Sequence, residues 1–170
     1  MPVSLLQYVQ AKNLVFLSVA AAAPNASGVL VVGTPVDISD FGVKGLVSFN
    51  VAPQQVLEQF RNSDSPADNF LKEYSSWSAS LTEMPYANGL SPTQVIIAGS
   101  DYIRIEAHYR APWQTGTAGV KVAVLGLWET ADQNIGAGNN PTTINIRPSG
   151  VDANGKTCFY MGLASGTVPF

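Results

Sequence analysis

The strongest constraint on the fold is an alternation over residues 101–110. Ile103, Ile105, Ala107 and Tyr109 interleave with Tyr102, Arg104, Glu106, His108 and Arg110. Successive side chains of a strand point to opposite faces, so the first set belongs on a buried face and the second faces solvent or a partner. Between clusters of Gly, Pro and Asn lie other short β-rich runs. Residues 43–51 alternate less cleanly, with Val43, Val47, Phe49 and Val51 on one side. Residues 120–128 are nearly continuous apolar, as in a strand buried on both faces. Residues 14–22, 29–32, 93–98, 142–147 and 157–163 complete a set of about eight candidate strands.

The connections agree with that count. Asn154-Gly155 is a strong hairpin signal, because a type I′ turn needs positive φ at both central residues. It is expected to join a strand ending near Arg147 to one starting near Lys156, with Pro148, Ser149 and Gly150 widening the loop. Residues 115–119 and 135–141 are Gly-rich turns. Helical signals are confined to the middle. Pro53 suits a first helical turn, with Val56, Leu57 and Phe60 on one face. Ser65-Pro66-Ala67-Asp68 has the form of a capped start, followed by an apolar stripe of Phe70, Leu71 and Tyr74. The expected architecture is a single all-β domain over residues 1–170. It is an eight-stranded antiparallel jelly roll or β-sandwich with a short helical insertion near residues 53–75.

Composition narrows the function. Charged residues are 12% of the chain, about half the usual share of roughly 25%. The hydrophobic share of 46% is ordinary, so Ser, Thr, Asn, Gln, Gly and Pro replace the missing charge. Interface cores are depleted of charge in the same way, which suits a chain that covers its surface with neighbours. The net charge is −3 and the nine Lys and Arg residues are scattered singly. A nucleic-acid footprint is therefore not expected. No run reaches the ~20 apolar residues of a membrane-spanning helix. Residues 12–23 have some features of a secretory signal, but the positive charge is thin and late and Pro24 follows the alanines, so the segment reads as the first long strand.

The residues that carry chemistry are sparse. His108 is the single histidine, on the outward face of the best strand, and no Gly-x-Ser-x-Gly elbow accompanies it. Cys158 is alone and reads as a small core residue, which leaves no intrachain disulfide. Glu106 is flanked on its own face by Arg104 and His108 rather than by a second acid, so the paired carboxylates of a glycosidase are missing. Asp37 and Asp40 read as turn-capping loop acids. Asp132-Gln133-Asn134 fails as an EF-hand, because the sixth and twelfth positions are Ala137 and Thr143. A non-catalytic protein without metal or cofactor is expected. Among the aromatics, Trp77, Trp113, Trp128, Tyr86, Tyr102 and Tyr109 are core anchors, interface anchors or a sugar-stacking platform, with Trp113 in its turn-rich stretch the best placed for contact. The candidate interface or ligand contacts are Trp113, Tyr102, Arg104, Glu106, His108 and Arg110. Asn25-Ala26-Ser27 is a glycosylation sequon.

A weakly charged chain of about eight strands, with a central helical excursion and a Met1-Pro2 start, resembles the small single jelly-roll major capsid proteins of tailless icosahedral double-stranded DNA phages with an internal membrane. Those from thermophilic hosts, with two small capsid proteins, are most similar. The resemblance covers the whole chain in size and layout and rests on no signature motif. It implies a capsid subunit in the virion, an upright β-barrel, a dimeric or higher building block and a second capsid protein as partner. It also implies proximity to an internal viral membrane, without direct nucleic-acid binding. The low charge departs from the ion-pair enrichment of isolated thermophilic proteins and fits burial in a lattice. The alternative is a carbohydrate-binding β-sandwich module with a glycan as partner, on a phage tail or cell surface.

Overall fold

Among the described residues, the backbone pairs chiefly between antiparallel strands. The computed structural model describes residues 14–39, 46–61, 68–86, 89–110, 113, 119–132, 140–149 and 158–170; within these, the side chains of 46, 47, 55–61, 68–75 and 132 are not described. The elements are β1 (Leu14–Pro24), β2 (Leu30–Val32), β3 (Val36–Asp37), β4 (Leu46–Arg61), β5 (Asp68–Glu83), α1 (Pro92–Ile96), β6 (Tyr102–Tyr109), β7 (Val120–Asp132), β8 (Thr142–Pro148) and β9 (Phe159–Leu163). All pairings are antiparallel, in the order β2-β1-β6-β7-β8-β5-β4, with β3 also on β1 and β9 also on β7. The protein is all-β, with nine strands among the described residues where about eight are expected. β5 lies beside β8, which completes a Greek key in the spatial order β5-β8-β7-β6.

Two long strands bend the sheet because each serves two neighbours along one edge. β1 pairs with β3 at Ser18 and Val19 and with β2 from Ala22 to Pro24. β7 pairs with β9 from Val120 to Val124, then passes to β8 from Gly126 onward. Gly126 stands at the handover, where a Cβ would lie 2.0 Å from the Arg147 carbonyl oxygen and 2.9 Å from the Trp77 ring. Only glycine fits there.

The bend closes one core between two limbs. Leu17, Val19, Ile103, Ile105, Ala107, Val122 and Val124 face inward from β1, β6 and β7. Phe49, Trp77, Ala79, Leu81, Ile144 and Ile146 meet them from β4, β5 and β8. The alternation in β6 is as expected: Ile103, Ile105, Ala107 and Tyr109 are buried, and their neighbours are half-buried. The apolar run of β7 is also as expected. Val122 and Val124 enter this core, while Ala123 and Leu125 are buried on the opposite face. There a second cluster gathers Ala22, Leu125 and Cys158 with Leu30, Val32, Tyr102 and Phe170.

The helix is not where sequence spacing places it. Residues 53–61 and 68–75 belong to β4 and β5, which form one ladder from Leu46↔Glu83 to Arg61↔Asp68. Pairing along the whole ladder overrides a weak helical period, and Pro53 is tolerated because β4 ends the strand order and needs no second donor there. The register shifts just after it, between Gln54 and Gln55. Ser65-Pro66 lies outside the described residues. Conversely, 93–98 was expected as a strand and instead contains α1, in the crossover from β5 to β6. Ser91 caps it, Pro92 opens it, and Gln94 reaches back to the Ser91 amide in a capping box. The Asn154-Gly155 turn lies outside the described residues. Its flanking strands β8 and β9 each pair with β7 rather than with each other.

Candidate interaction surfaces

The outward row of β6 is a charge cluster rather than an open stripe. Glu106 lies at its centre. Arg104 Nη2 donates to Glu106 Oε2 at 2.9 Å, His108 Nε2 lies 2.8 Å from Oε1, and Lys121 Nζ is 3.6 Å from Oε1. Strand register makes this convergence. Residues 104, 106 and 108 share one face, and Lys121 is the β7 partner of His108. Burial by itself would raise the Glu106 carboxyl. Hydrogen bonds from His108 and Arg104 and the charges of Arg104 and Lys121 outweigh it and hold the group below the usual carboxylate range. Glu106 is flanked by small residues, Ser18 on β1 and Ala123 on β7, and Arg104 by Ala20 on β1, which leaves room around the carboxylate.

The segment 164–170 covers this cluster. Arg104 Nε donates to the Phe170 carbonyl at 3.0 Å and its guanidinium lies 5.9 Å from the Phe170 ring centre. Lys121 Nζ donates to the Gly166 carbonyl at 2.8 Å. Phe16 packs against the His108 ring at 4.7 Å. Arg104, Glu106 and His108 are thus brought together but spend much of their polarity within the fold. Tyr102, on the same face, packs into the second apolar cluster. Arg110 follows β6 and Trp113 stands apart in a turn, 73% exposed. Of the other aromatics singled out, Trp77 and Tyr109 are in the core, and burial pushes Tyr109 up to about 12. Trp128 donates its Nε1 to the Ser100 carbonyl at 2.7 Å, and Tyr86 is exposed.

A second polar site escapes sequence reasoning. Glu83 is fully buried at the end of β5, where Thr93 binds it twice, through N at 3.1 Å and Oγ1 at 2.7 Å. Gln94 Nε2 donates onward to Thr130 Oγ1 at 3.0 Å. Burial raises the Glu83 carboxyl, against the lowering effect of the hydrogen bonds from Thr93 and Ser91. The site locks α1 to the sheet. Its sequence signal is Ser91-Pro92-Thr93-Gln94, a capping box that composition alone disguises as a strand.

Three surfaces remain open. The outer face of β4, β5 and β8 is polar but chargeless over most of its rows. Ser48, Thr82 and Thr143 form one row and Asn50, Ser80 and Asn145 the next, with the Arg147–Glu129 ion pair at the rim. Two margins of the sheet, at β2 and β9, are apolar instead. On β2, Val31 is 55% exposed beside Val29 at 54%; on β9, Met161 is 52% and Leu163 72% exposed. Finally, a groove of about 220 Å³ runs between β4 and β9, lined by Phe49, Val51, Tyr109, Val122, Phe159 and Met161 among others. Among the described residues, no group of three His, Cys, Asp or Glu is placed to hold a metal ion, and no helix is long and apolar enough to cross a membrane. No protein-family model matches the chain, and no curated protein is similar to it in sequence.

Proposed function

We propose that the chain is a structural subunit of a protein shell, a capsid subunit of a virion that assembles with copies of itself and with a second capsid protein. The observation that carries this reading is the state of the sheet margins. Free-standing β proteins blunt an edge strand with Lys, Pro or an inward charge, because unpaired backbone invites another strand. The run 29–32 is Val-Leu-Val-Val and the run 158–163 is Cys-Phe-Tyr-Met-Gly-Leu, without one charge or proline. Among the described residues, β2 pairs with β1 alone. Margins that are apolar and exposed are built to be covered. The chargeless Ser, Thr and Asn rows fit the same purpose, since neutral faces are brought together without desolvating ions.

Light scattering across a concentration series, followed by electron microscopy of the heaviest fraction, tests the proposal. Self-association into closed or sheet-like assemblies, alone or with a co-expressed second capsid protein, is expected. A second reading, a glycan-binding module, rests on the exposed ring of Trp113. A strict monomer that binds sugars saturably, and loses them in Trp113→Ala, would overturn the capsid reading.

A further inference from the structure

The outer face of β4, β5 and β8 has the character of a contact that is complementary to itself. Strand register sets its rows. Asn50, Ser80 and Asn145 stand side by side, and the row continues onto β7 at Glu129. One step along, Ala52 pairs with Ser78 and Arg147 pairs with Leu127. Asn50, Ala52, Ser78, Ser80, Asn145 and Arg147 together line a hollow of about 360 Å³. Asn50, Ala52 and Ser78 are exposed, and Ser80 and Asn145 are half-buried.

A Ser hydroxyl or an Asn amide both donates and accepts hydrogen bonds. A face made of such groups can therefore satisfy a copy of itself. A charged partner would instead have its ions desolvated against neutral groups. The charges beside these rows follow the same logic. Arg147 Nη2 donates to Glu129 Oε1, and the two side chains are 69% and 49% exposed. A guanidinium carries several N–H donors in a fork, so Arg147 can bridge a second carboxylate while it holds the first. One positive and one negative group side by side meet their own image with opposite charges facing, when the image is turned about a two-fold axis. Charges of this kind set orientation more than affinity.

Register also places the axis. Asn145 neighbours Glu129 across the ladder and Arg147 along β8, while Leu127 neighbours Arg147 across the ladder and Glu129 along β7. The four residues form the corners of one cell. An axis that exchanges Arg147 and Glu129 runs along the other diagonal, so Asn145 and Leu127 each meet their own copy. Leu127 is 40% exposed, an apolar group available to that meeting.

We propose that two copies pack this face against itself about a two-fold axis along the Asn145–Leu127 diagonal, with Arg147 of each copy set against Glu129 of the other. The proposal rests on the assembly reading above and names one of its contacts. The test uses the full chain in a Cys158→Ala background with Asn145→Cys, oxidised across a concentration series. Disulfide-linked pairs of identical chains are expected. Charge reversal then separates a contact between copies from the pair within each chain. Arg147→Glu makes both charges negative and Glu129→Arg makes both positive. Each variant alone should lose most of its linked pairs while the far-UV circular dichroism stays unchanged. Mixing the two, with one tagged, should restore linked pairs that contain one chain of each kind. The pair within each chain stays broken on mixing, so only a contact between copies gains. A mixture that links no better than its separate components overturns the proposal. So does an assembly in which the Asn145→Cys thiol is shielded from reagent but unlinked, which assigns the face to another occupant. A parent chain that is monomeric at every concentration defeats the assembly reading and this inference together. A parent that assembles while the Asn145→Cys chains stay unlinked defeats this inference alone.

Discussion

Single residues decide two features of the fold. At Gly126 the backbone of β8 and the Trp77 ring leave no room for a methyl group. Gly126→Ala is expected to destabilise the protein by about 1–3 kcal/mol, the usual cost of overpacking, read as a lower urea midpoint. Glu83 is the other case. Glu83→Ala leaves the Thr93 amide and hydroxyl buried without their acceptor, a loss of about 1–3 kcal/mol. The pH dependence follows from the direction of its shift. The folded chain holds the Glu83 proton more tightly than the unfolded chain, so the contribution of this group is full below the ordinary carboxylate range. It is lost as pH rises through the raised value. Glu83→Gln removes the charge, and its urea midpoint is expected to fall less than that of the parent over that rise. Such partnerships are poorly legible in sequence, because Glu83 and Thr93 sit ten positions apart on different elements and nothing in their spacing announces a contact. The inward residues of β6 are legible for the opposite reason: one strand with one core face writes its own period into the chain.

At the scale of elements, the sequence is legible where burial imposes a period and ambiguous where pairing decides. β6, β7 and β8 were found because their apolar side chains meet the core at fixed spacing. The far halves of β4 and β5 were read as helical because Val56, Leu57 and Phe60 satisfy that period too, and only a partner strand distinguishes the two states. The reverse error at 93–98 has the same origin, since Val95, Ile96 and Ile97 favour a strand until Ser91 and Gln94 close the capping box. The outward row of β6 was expected to face solvent or a partner, yet segment 164–170 lies over it, a contact between distant parts of the chain that local pattern does not contain. This strap gives a prediction of its own. Phe170 packs in the cluster that buries Cys158, so removing residues 167–170 should raise the rate at which a thiol reagent labels Cys158 in the folded protein. An unchanged labelling rate with intact circular dichroism would show that the strap does not guard the cysteine.

Across the whole molecule, the scarcity of charge acquires a location. Glu106, Arg104, His108 and Lys121 neutralise one another in one cluster, Glu83 is enclosed, and Glu129 pairs with Arg147 at a rim. Asp37 and Asp101 are exposed elsewhere; apart from these charges the outside holds a neutral polar face and two apolar margins, and these are the surfaces on which assembly is proposed. β7 has a further consequence for how the domain comes apart. Among the described residues the strand ladders of the two limbs join only where β7 meets β8, so β7 is a single spine carrying the ladders of β6, β8 and β9. Opening its amides requires both halves of the domain to separate, whereas β2 and β3 can peel away singly. In native-state hydrogen exchange the amides of residues 122–126 should therefore be among the slowest in the molecule, exchanging only with global unfolding, and those of β2 should exchange by local fraying. The same strand that turns the sheet would then set the clock for its unfolding.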